Sequence, residues 1–144
     1  MRAARDANEA MPSFAVTLLE EKLKGLTDLR VAVLGAAYRG GVKETAFSGV
    51  FPVVSELRER GAVPSVHDPL YSDDELEALG FTPYALGEPV DAVVLQADHS
   101  EYRHLSSQDF PELRAVVDGR SVLEPTAFLG VDFLAIGHPD RRPS

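Results

Sequence analysis

The sequence predicts a three-layer α/β domain with a sheet of five or six mostly parallel strands, preceded by an N-terminal helix. Short apolar runs that read as buried strands alternate with segments of helical periodicity. One run, residues 91–97 (DAVVLQA), is of the kind that is buried on both faces of a parallel sheet. A glycine-rich stretch, residues 34–49, follows the first strand, and the carboxyl end of a strand is where open α/β sheets bind ligands.

The first predicted element is a helix over residues 3–23, with a break or restart at Met11-Pro12 because proline removes a backbone donor. Gly25 is expected to end it. After the proline, apolar residues form two adjacent i,i+4 rows, Phe14 with Leu18 and Ala15 with Leu19. We expect this face of the helix to pack on a partner surface.

The later elements follow from apolar periodicity and from turn and capping residues. The predicted strands are 30–34, 62–67, a weak one at 81–85, 91–97, 114–117 and 131–136. Helices are predicted after a cap at Ser48 and ending at Gly61, over 72–79 with Ser72 as its cap, and at 100–105, with a further turn at 107–113. Strand, helix and strand joined by short loops indicate βαβ units.

Composition narrows the function classes. The chain has 144 residues, 44% of them hydrophobic and 26% charged, which fits one soluble globular domain. Its net charge of -9 argues against nucleic-acid binding. The absence of cysteine excludes disulfides and thiol nucleophiles, and the four histidines lack metal-ligand spacing, so we expect no metal. With no apolar run of about 18 residues and no secretory signal pattern, a cytoplasmic location is expected and no membrane contact.

The glycine-rich stretch, LGAAYRGGVKETAFSG, combines flexible backbone with an aromatic ring and two cations. Its members are Gly35, Tyr38, Arg39, Gly40, Gly41 and Lys43. Such a loop offers a planar surface for a base, charges for phosphate and backbone donors. It is neither a dinucleotide fingerprint nor a P-loop, because Ala37 and Val42 stand where those motifs need glycine and lysine. The alternative is that the glycines serve only to close the turn.

No catalytic residue is predicted. The ligand-facing edge of the sheet offers Arg39, Lys43, Glu44, Asp68, His99 and Arg120, without a Ser-His-Asp arrangement that spacing would support. The adjacent Asp98 and His99 are expected to cap a helix. Arginine forks make the edge suited to recognition of phosphate oxygens. A response-regulator receiver would need paired acids where Gly35 and Ala36 stand, whereas a non-catalytic nucleotide-binding or regulatory interaction module stays open as an alternative.

Nearly the whole chain resembles one known family. The stretches that carry the resemblance are VAVLGAAYRGGVKETAFSG, ELRERGA, VHDP, DAVVLQADHSEY, VVDGR and VDFLAIG. In order and spacing they are similar to the carboxyl-terminal domain of the UDP-glucose/GDP-mannose dehydrogenase family. The resemblance implies a Rossmann-like fold and a place in a nucleotide-sugar 6-dehydrogenase, which oxidises the C6 alcohol of a UDP-sugar to a carboxylate with two NAD per turnover.

The resemblance also implies a substrate-nucleotide site, formed by Tyr38, Arg39, Gly40, Gly41, Lys43 and Arg120. Tyr38 takes the place of the motif's aromatic residue, Arg39 that of its lysine, and Arg120 that of the arginine after Asp-Gly. Two positions depart from the family pattern. Glu44 replaces an aspartate, and Ala46 replaces the arginine that reaches the dinucleotide, so that Lys43 is the remaining candidate for a contact to NAD.

The same resemblance implies a domain organisation. Residues 1–26 look like the end of the family's central dimer-forming helix, 27–138 like the nucleotide-sugar-binding domain, and 139–144 like a tail. The family's dinucleotide domain and its Gly-Gly-x-Cys nucleophile loop have no counterpart in this sequence. We therefore expect this chain to be a piece of a homodimeric enzyme of polysaccharide biosynthesis. By itself, the piece is expected to bind no NAD and to have no catalytic activity.

Overall fold

The computed structural model describes residues 14–37, 41, 43, 45 and 48–136. Its centre is a five-stranded sheet in which every pairing is parallel. The strands are β1 (Arg30–Leu34), β2 (Val63–His67), β3 (Ala92–Leu95), β4 (Ala115–Asp118) and β5 (Asp132–Ala135), in the spatial order β2-β1-β3-β4-β5. The predicted α/β fold with a parallel sheet is confirmed. The weak strand predicted at 81–85 is wrong, because that segment forms an isolated bridge between Pro83 and Val66.

In the described part of the chain, helix α1 (residues 14–23) precedes β1, and two further α-helices and three 3₁₀ turns lie between the strands. The two helices are α2 (Val50–Glu59) and α3 (Asp73–Ala78). The 3₁₀ turns are Ser100–His104, Ser107–Asp109 and Pro125–Phe128. Within the described residues, none of the helices has both the length and the apolar character needed to cross a membrane.

The sheet separates two apolar cores, because alternate strand residues point to opposite faces. Val31 and Val33 belong to the core that α1, α2 and α3 cover, whereas Ala32 and Leu34 belong to the other. This second core is closed by aromatic residues of the turns and connections, namely Tyr84, Tyr102, Phe110 and Phe128. The three predicted layers are therefore present, but one outer layer consists of 3₁₀ turns and loops.

The two helix caps have different geometries. Ser72 caps α3 as predicted, and the structure adds a capping box in which the side chains of Ser72 and Glu75 each accept the other's backbone amide. Ser48 lies one residue before the cap of α2, which is Gly49, so the predicted cap is displaced by one position. The Ser48 hydroxyl accepts a hydrogen bond from the Val50 amide at 3.1 Å and donates to the carbonyl of Ala37 at 3.2 Å. Ser48 thus joins the end of the glycine-rich stretch to its beginning.

Helix α1 packs on this chain's own sheet. Val16 and Leu19 are fully buried in the same core as Val31 and α2. The expectation that Leu19 faces a partner is therefore wrong for this residue. Phe14, which is 50% exposed, remains on the outer side of the helix. The part of the predicted helix that precedes residue 14 lies outside the described residues, and the boundaries 1–26, 27–138 and 139–144 remain predictions.

An ion pair joins the amino ends of β1 and β3. Arg30 Nε and Asp91 Oδ2 lie 3.2 Å apart, and the backbone amide of Arg30 donates to the same oxygen at 2.8 Å. Burial alone would raise the pKa of Asp91, but the hydrogen bonds and charge of Arg30 outweigh it and hold that pKa below its ordinary value. This link ties the starts of β1 and β3 together at the edge opposite the glycine-rich loop.

Replacing Leu19 tests whether α1 belongs to this core. We expect Leu19→Ala to lower the free energy of unfolding by about 2–5 kcal/mol, because a fully buried leucine leaves a cavity. Leu18→Ala, at a partly exposed position of the same helix, is the matched control and should cost clearly less. Urea unfolding of both variants measures the difference. Equal, small losses would show that the helix does not contribute to the core of the isolated chain.

Candidate functional site

The candidate site is the crevice between the carboxyl ends of β1 and β3. The chain leaves β1 toward β2 on one side, whereas β3 and β4 lie on the other side. The loops that follow β1 and β3 therefore diverge, and such a point of reversed strand order is where open α/β sheets bind ligands. The glycine-rich stretch begins here, as the sequence predicted.

Gly35 lets the two loops approach each other closely. Its φ is +108°, and a Cβ at this position would lie 2.4 Å from the Cβ of Ala97. Both facts require glycine, because any side chain would strain the backbone and collide with the end of β3. The Gly35 amide donates to the carbonyl of His67 at 2.6 Å. The carboxyl end of β1 is thus held between the carboxyl ends of β2 and β3.

A buried Asp-His pair lies across the end of β1. Asp68 follows β2 and His99 follows β3, and their side chains are 0% and 1% exposed. His99 Nε2 lies 2.8 Å from Asp68 Oδ2. The same carboxylate oxygen accepts the amides of Ala36 at 2.7 Å and Ala37 at 3.0 Å. The residues at the end of β1 are small enough for side chains from both neighbouring strands to meet above them.

His99 also contacts the far side of the glycine-rich loop. The amide of Gly41 donates to His99 Nδ1 at 3.0 Å, so this nitrogen carries no proton and Nε2–H donates to Asp68. Gly41 has a φ of +76°, which favours glycine. The amides of Gly35, Ala36, Ala37 and Gly41 are therefore all engaged within the chain. These four amides have partners within the chain, and the expectation that backbone donors of this loop serve a ligand stays a prediction.

Gln96 links the loop to Arg120. Its Nε2 donates to the carbonyls of Gly35 at 2.8 Å and Ala37 at 3.2 Å. The backbone carbonyl of Gln96 in turn accepts a hydrogen bond from Arg120 Nε at 3.0 Å. The buried Asp118 accepts the Arg120 amide through Oδ1 at 2.9 Å, which fixes the turn after β4. The structure therefore places Arg120 on the predicted edge, beside the end of β3.

Lys43 is anchored to helix α3. Its Nζ lies 2.7 Å from Glu75 Oε2 and 5.3 Å from the centre of the Tyr71 ring. The hydrogen bond from Lys43 holds the pKa of Glu75 below its ordinary value, assisted by the Ser72 amide. Of the other residues predicted from sequence, Tyr38, Arg39, Gly40, Glu44 and Ala46 lie outside the described residues. The structure thus locates Gly41, Lys43 and Arg120 at this edge.

The sequence predicted that Asp98 and His99 cap a helix. His99 is the N-cap residue of the 3₁₀ turn Ser100–His104, but its side chain makes no capping hydrogen bond and instead contacts Asp68, 31 positions away in sequence. Asp68 directly follows β2 and His99 lies in the loop after β3, the two strands that flank β1, and carboxyl ends of parallel strands share one edge. That placement, together with the small residues Gly35-Ala36-Ala37 between them, is the sequence signal from which the contact of Asp68 with His99 could have been predicted. Gln96 was missed because it ends an apolar run and gives no distinct pattern.

His67 and Tyr102 form a second polar contact at this edge. The Tyr102 hydroxyl lies 3.0 Å from His67 Nδ1 and donates to the His67 carbonyl at 3.0 Å. Burial lowers the pKa of His67 below its ordinary value of 6.5, with the charge of Asp68 acting in the opposite direction. Burial also raises the pKa of the Tyr102 phenol. Both side chains are thus kept in their neutral forms near pH 7.

Comparison with known proteins finds one family. Residues 32–125 match the UDP binding domain of the UDP-glucose/GDP-mannose dehydrogenase family. The UDP-N-acetyl-D-mannosamine dehydrogenase of Pyrococcus horikoshii is 30% identical over 151 aligned residues, covering 97% of this chain and 34% of that protein. The UDP-glucose 6-dehydrogenase of Haloferax volcanii is 29% identical over 139 residues, covering 92% and 32%.

Solved structures agree with this similarity. A UDP-glucose dehydrogenase from Pyrobaculum islandicum superposes with a TM-score of 0.78 at 30% identity, covering 94% of this chain and 31% of that one. The UDP-D-ManNAc dehydrogenase from Pyrococcus horikoshii gives a TM-score of 0.73 at 28% identity, covering 94% and 32%. The chain therefore spans about a third of the length of the relatives it matches.

Substitution at Gly35 tests the close approach of the two loops. We expect Gly35→Ala to lower the free energy of unfolding by about 2–5 kcal/mol, because it combines overpacking with an unfavourable positive φ. Gly87→Ala is the control, since Gly87 has a φ of +101° with nothing within 4 Å of the added Cβ. It should cost about 1–2 kcal/mol. Losses of the same size in denaturant unfolding would contradict the contact with Ala97.

The lowered pKa of His67 predicts loss of stability in acid. Below its ordinary pKa of 6.5 the unfolded chain binds a proton that the folded chain resists, so the free energy of unfolding falls as the pH drops below that value. We expect wild type to lose more stability than His67→Asn between about pH 7.5 and about pH 5. Unfolding curves across this range measure it, and parallel losses in the two proteins would exclude His67 as the cause.

Proposed function

Because the chain belongs to the UDP-glucose/GDP-mannose dehydrogenase family and matches its UDP binding domain, we propose that it binds the nucleotide of a UDP-sugar in the crevice at the ends of β1 and β3. The observation that carries this proposal is the structure of the crevice itself. The reversed strand order, the glycine-bounded loop and Arg120 meet at one edge of the sheet. The corresponding enzyme oxidises the C6 alcohol of the sugar to a carboxylate.

Phosphate recognition is assigned to side chains of this edge. Ala36, Ala37 and Gly41 direct their amides inward to Asp68 and His99, which leaves cationic side chains as the natural partners of a diphosphate. Arg120 is held beside the end of β3 through Gln96. Arg39 lies in sequence between the anchored residues Ala37 and Gly41, and Tyr38 beside it offers a ring for the base. We assign Tyr38, Arg39, Gly40, Gly41 and Arg120 to this site.

Lys43 fits a dinucleotide contact poorly. Its ammonium group is paired with Glu75 at 2.7 Å and lies over Tyr71. A contact from Lys43 to NAD would require this pair to break, and Ala46 offers no charge in place of the family's arginine. We therefore assign no NAD contact to this chain and derive no step of hydride transfer from its residues. In the complete enzyme NAD would be held by other segments.

The chemistry of oxidation is assigned to the parts of the enzyme that this chain does not match. The sequence contains no cysteine, the nucleophile that the resemblance implies. The chain spans about a third of its relatives, so the dinucleotide and central domains, and a homodimer formed through them, are the proposed partners. We place the enzyme in the cytoplasm, in the supply of acidic sugars for polysaccharides. The 144-residue chain alone should bind UDP without reducing NAD in the presence of UDP-glucose.

Arg39 is the residue to test first. A charge-assisted, bidentate contact is worth roughly 1.5 to 3 kcal/mol, so Arg39→Ala should weaken UDP binding by about ten- to a hundredfold. Arg39→Lys should retain much of the affinity, because it keeps the charge while losing the fork. Calorimetric titration of UDP into the three proteins at one salt concentration measures both effects.

Lys43→Ala is the control for simple loss of positive charge near the loop. Since Lys43 is paired with Glu75, its removal should change UDP affinity much less than Arg39→Ala does. Equal affinities for wild type, Arg39→Ala and Arg39→Lys would move the nucleotide site away from this loop. An equal weakening by Arg39→Ala and Lys43→Ala would indicate a general charge effect in place of a specific contact.

A further inference from the structure

The buried Asp68–His99 pair is too enclosed to touch a ligand, with side chains 0% and 1% exposed. It nevertheless contacts the glycine-rich loop on both sides of residues 38–40. Asp68 Oδ2 accepts the amides of Ala36 and Ala37, and His99 Nδ1 accepts the amide of Gly41. Resting on the proposed function, we propose that Asp68 and His99 form a positioning pair that sets the nucleotide-binding conformation of this loop.

The carboxylate acts as an internal anion for the start of the loop. Two successive amides directed at one oxygen make the kind of concave donor site that often binds a phosphate. Here Asp68 fills that position, and its other oxygen accepts the Leu70 amide at 2.8 Å. A ligand phosphate is thereby excluded from these amides. The diphosphate of the nucleotide would then be bound by other groups of this edge, among which Arg120 lies beside the end of β3.

Histidine is suited to join the two anchors because its nitrogens have opposite roles. Nε2–H donates to Asp68, and Nδ1 accepts from Gly41, so one neutral ring transmits the position of the carboxylate to the far end of the loop. The rings of Tyr102 and His99 pack edge to face, with 5.6 Å between their centroids. This packing restrains the ring that holds Gly41.

Two amide substitutions separate the two functions of His99. The amide nitrogen of His99→Gln can replace Nε2 and keep the donor to Asp68, while the acceptor for Gly41 is lost. The carbonyl oxygen of His99→Asn can replace Nδ1 and keep the acceptor for Gly41, while the donor to Asp68 is lost. Both variants remove the ring and its contact with Tyr102. A difference between them in nucleotide binding therefore reports the link to Gly41 and not the general loss of packing.

Calorimetric titration with UDP measures the affinity of the 144-residue chain and of the two variants. Denaturant unfolding of the same proteins gives their free energies of unfolding. NMR follows the signal of the Gly41 amide. We expect His99→Gln to weaken UDP binding by about three- to tenfold, the value of one hydrogen bond, and to speed hydrogen exchange at Gly41. His99→Asn should bind UDP within about twofold of wild type. In wild type, ¹⁵N signals of the His99 ring should show Nδ1 without a proton.

A purely structural role gives a different pattern. If both variants lose stability but bind UDP with wild-type affinity, the positioning role is wrong. If His99→Asn weakens UDP binding more than His99→Gln, the link to Gly41 is not the one that matters, and the proposal is overturned in this form. Failure of the wild type itself to bind UDP would overturn the proposed function and the pair's nucleotide role together. Exchange at Gly41 would still show whether His99 holds the loop.

Discussion

The hydrogen bonds of the Asp68 carboxylate hold together the edge of the sheet on which the site depends. One oxygen accepts from Ala36, Ala37 and His99, at 2.7, 3.0 and 2.8 Å. A buried carboxylate needs such donors, because an unpaired charge in the interior is costly. The consequence is reciprocal. Asp68 is stabilised by the loop amides, and the start of the loop is fixed relative to β2 and, through His99, to β3.

This arrangement explains why the amides of Ala36, Ala37 and Gly41 do not form a backbone cradle for phosphate. In loops that form such a cradle, successive amides point outward to the anion. In this chain the amides at Ala36, Ala37 and Gly41 point inward. The proposed recognition of a diphosphate therefore depends on cationic side chains, among which Arg120 is held beside β3 through Gln96. Lys43 is paired with Glu75 of α3, and we therefore distinguish it, as a structural cation, from the cations proposed to bind the nucleotide.

The fold was largely predictable because burial leaves a strong record in sequence. The run at β3 is apolar on both faces, and β1 was predicted with its observed bounds, Arg30–Leu34. The site was less predictable, since its main contacts join residues far apart in sequence. Asp68 and His99 were both placed at the ligand edge, but their pairing depends on β2 and β3 lying on either side of β1. The direction of the Ala36, Ala37 and Gly41 amides depends on backbone geometry that residue identity does not record. Leu19 was assigned to the wrong partner because periodicity identifies an apolar face but not the surface that it covers.

The proposed function requires a nucleotide to bind at the carboxyl edge of β1 and β3. Mapping of backbone amide shifts by NMR during titration with UDP tests it most directly, because each amide reports its own surroundings. We expect the largest changes at Ala37, Gly41, Gln96 and Arg120, while the amide shifts of Arg30 and Asp91 at the opposite edge stay constant. Changes concentrated at that opposite edge, or no changes at saturating UDP, would contradict it.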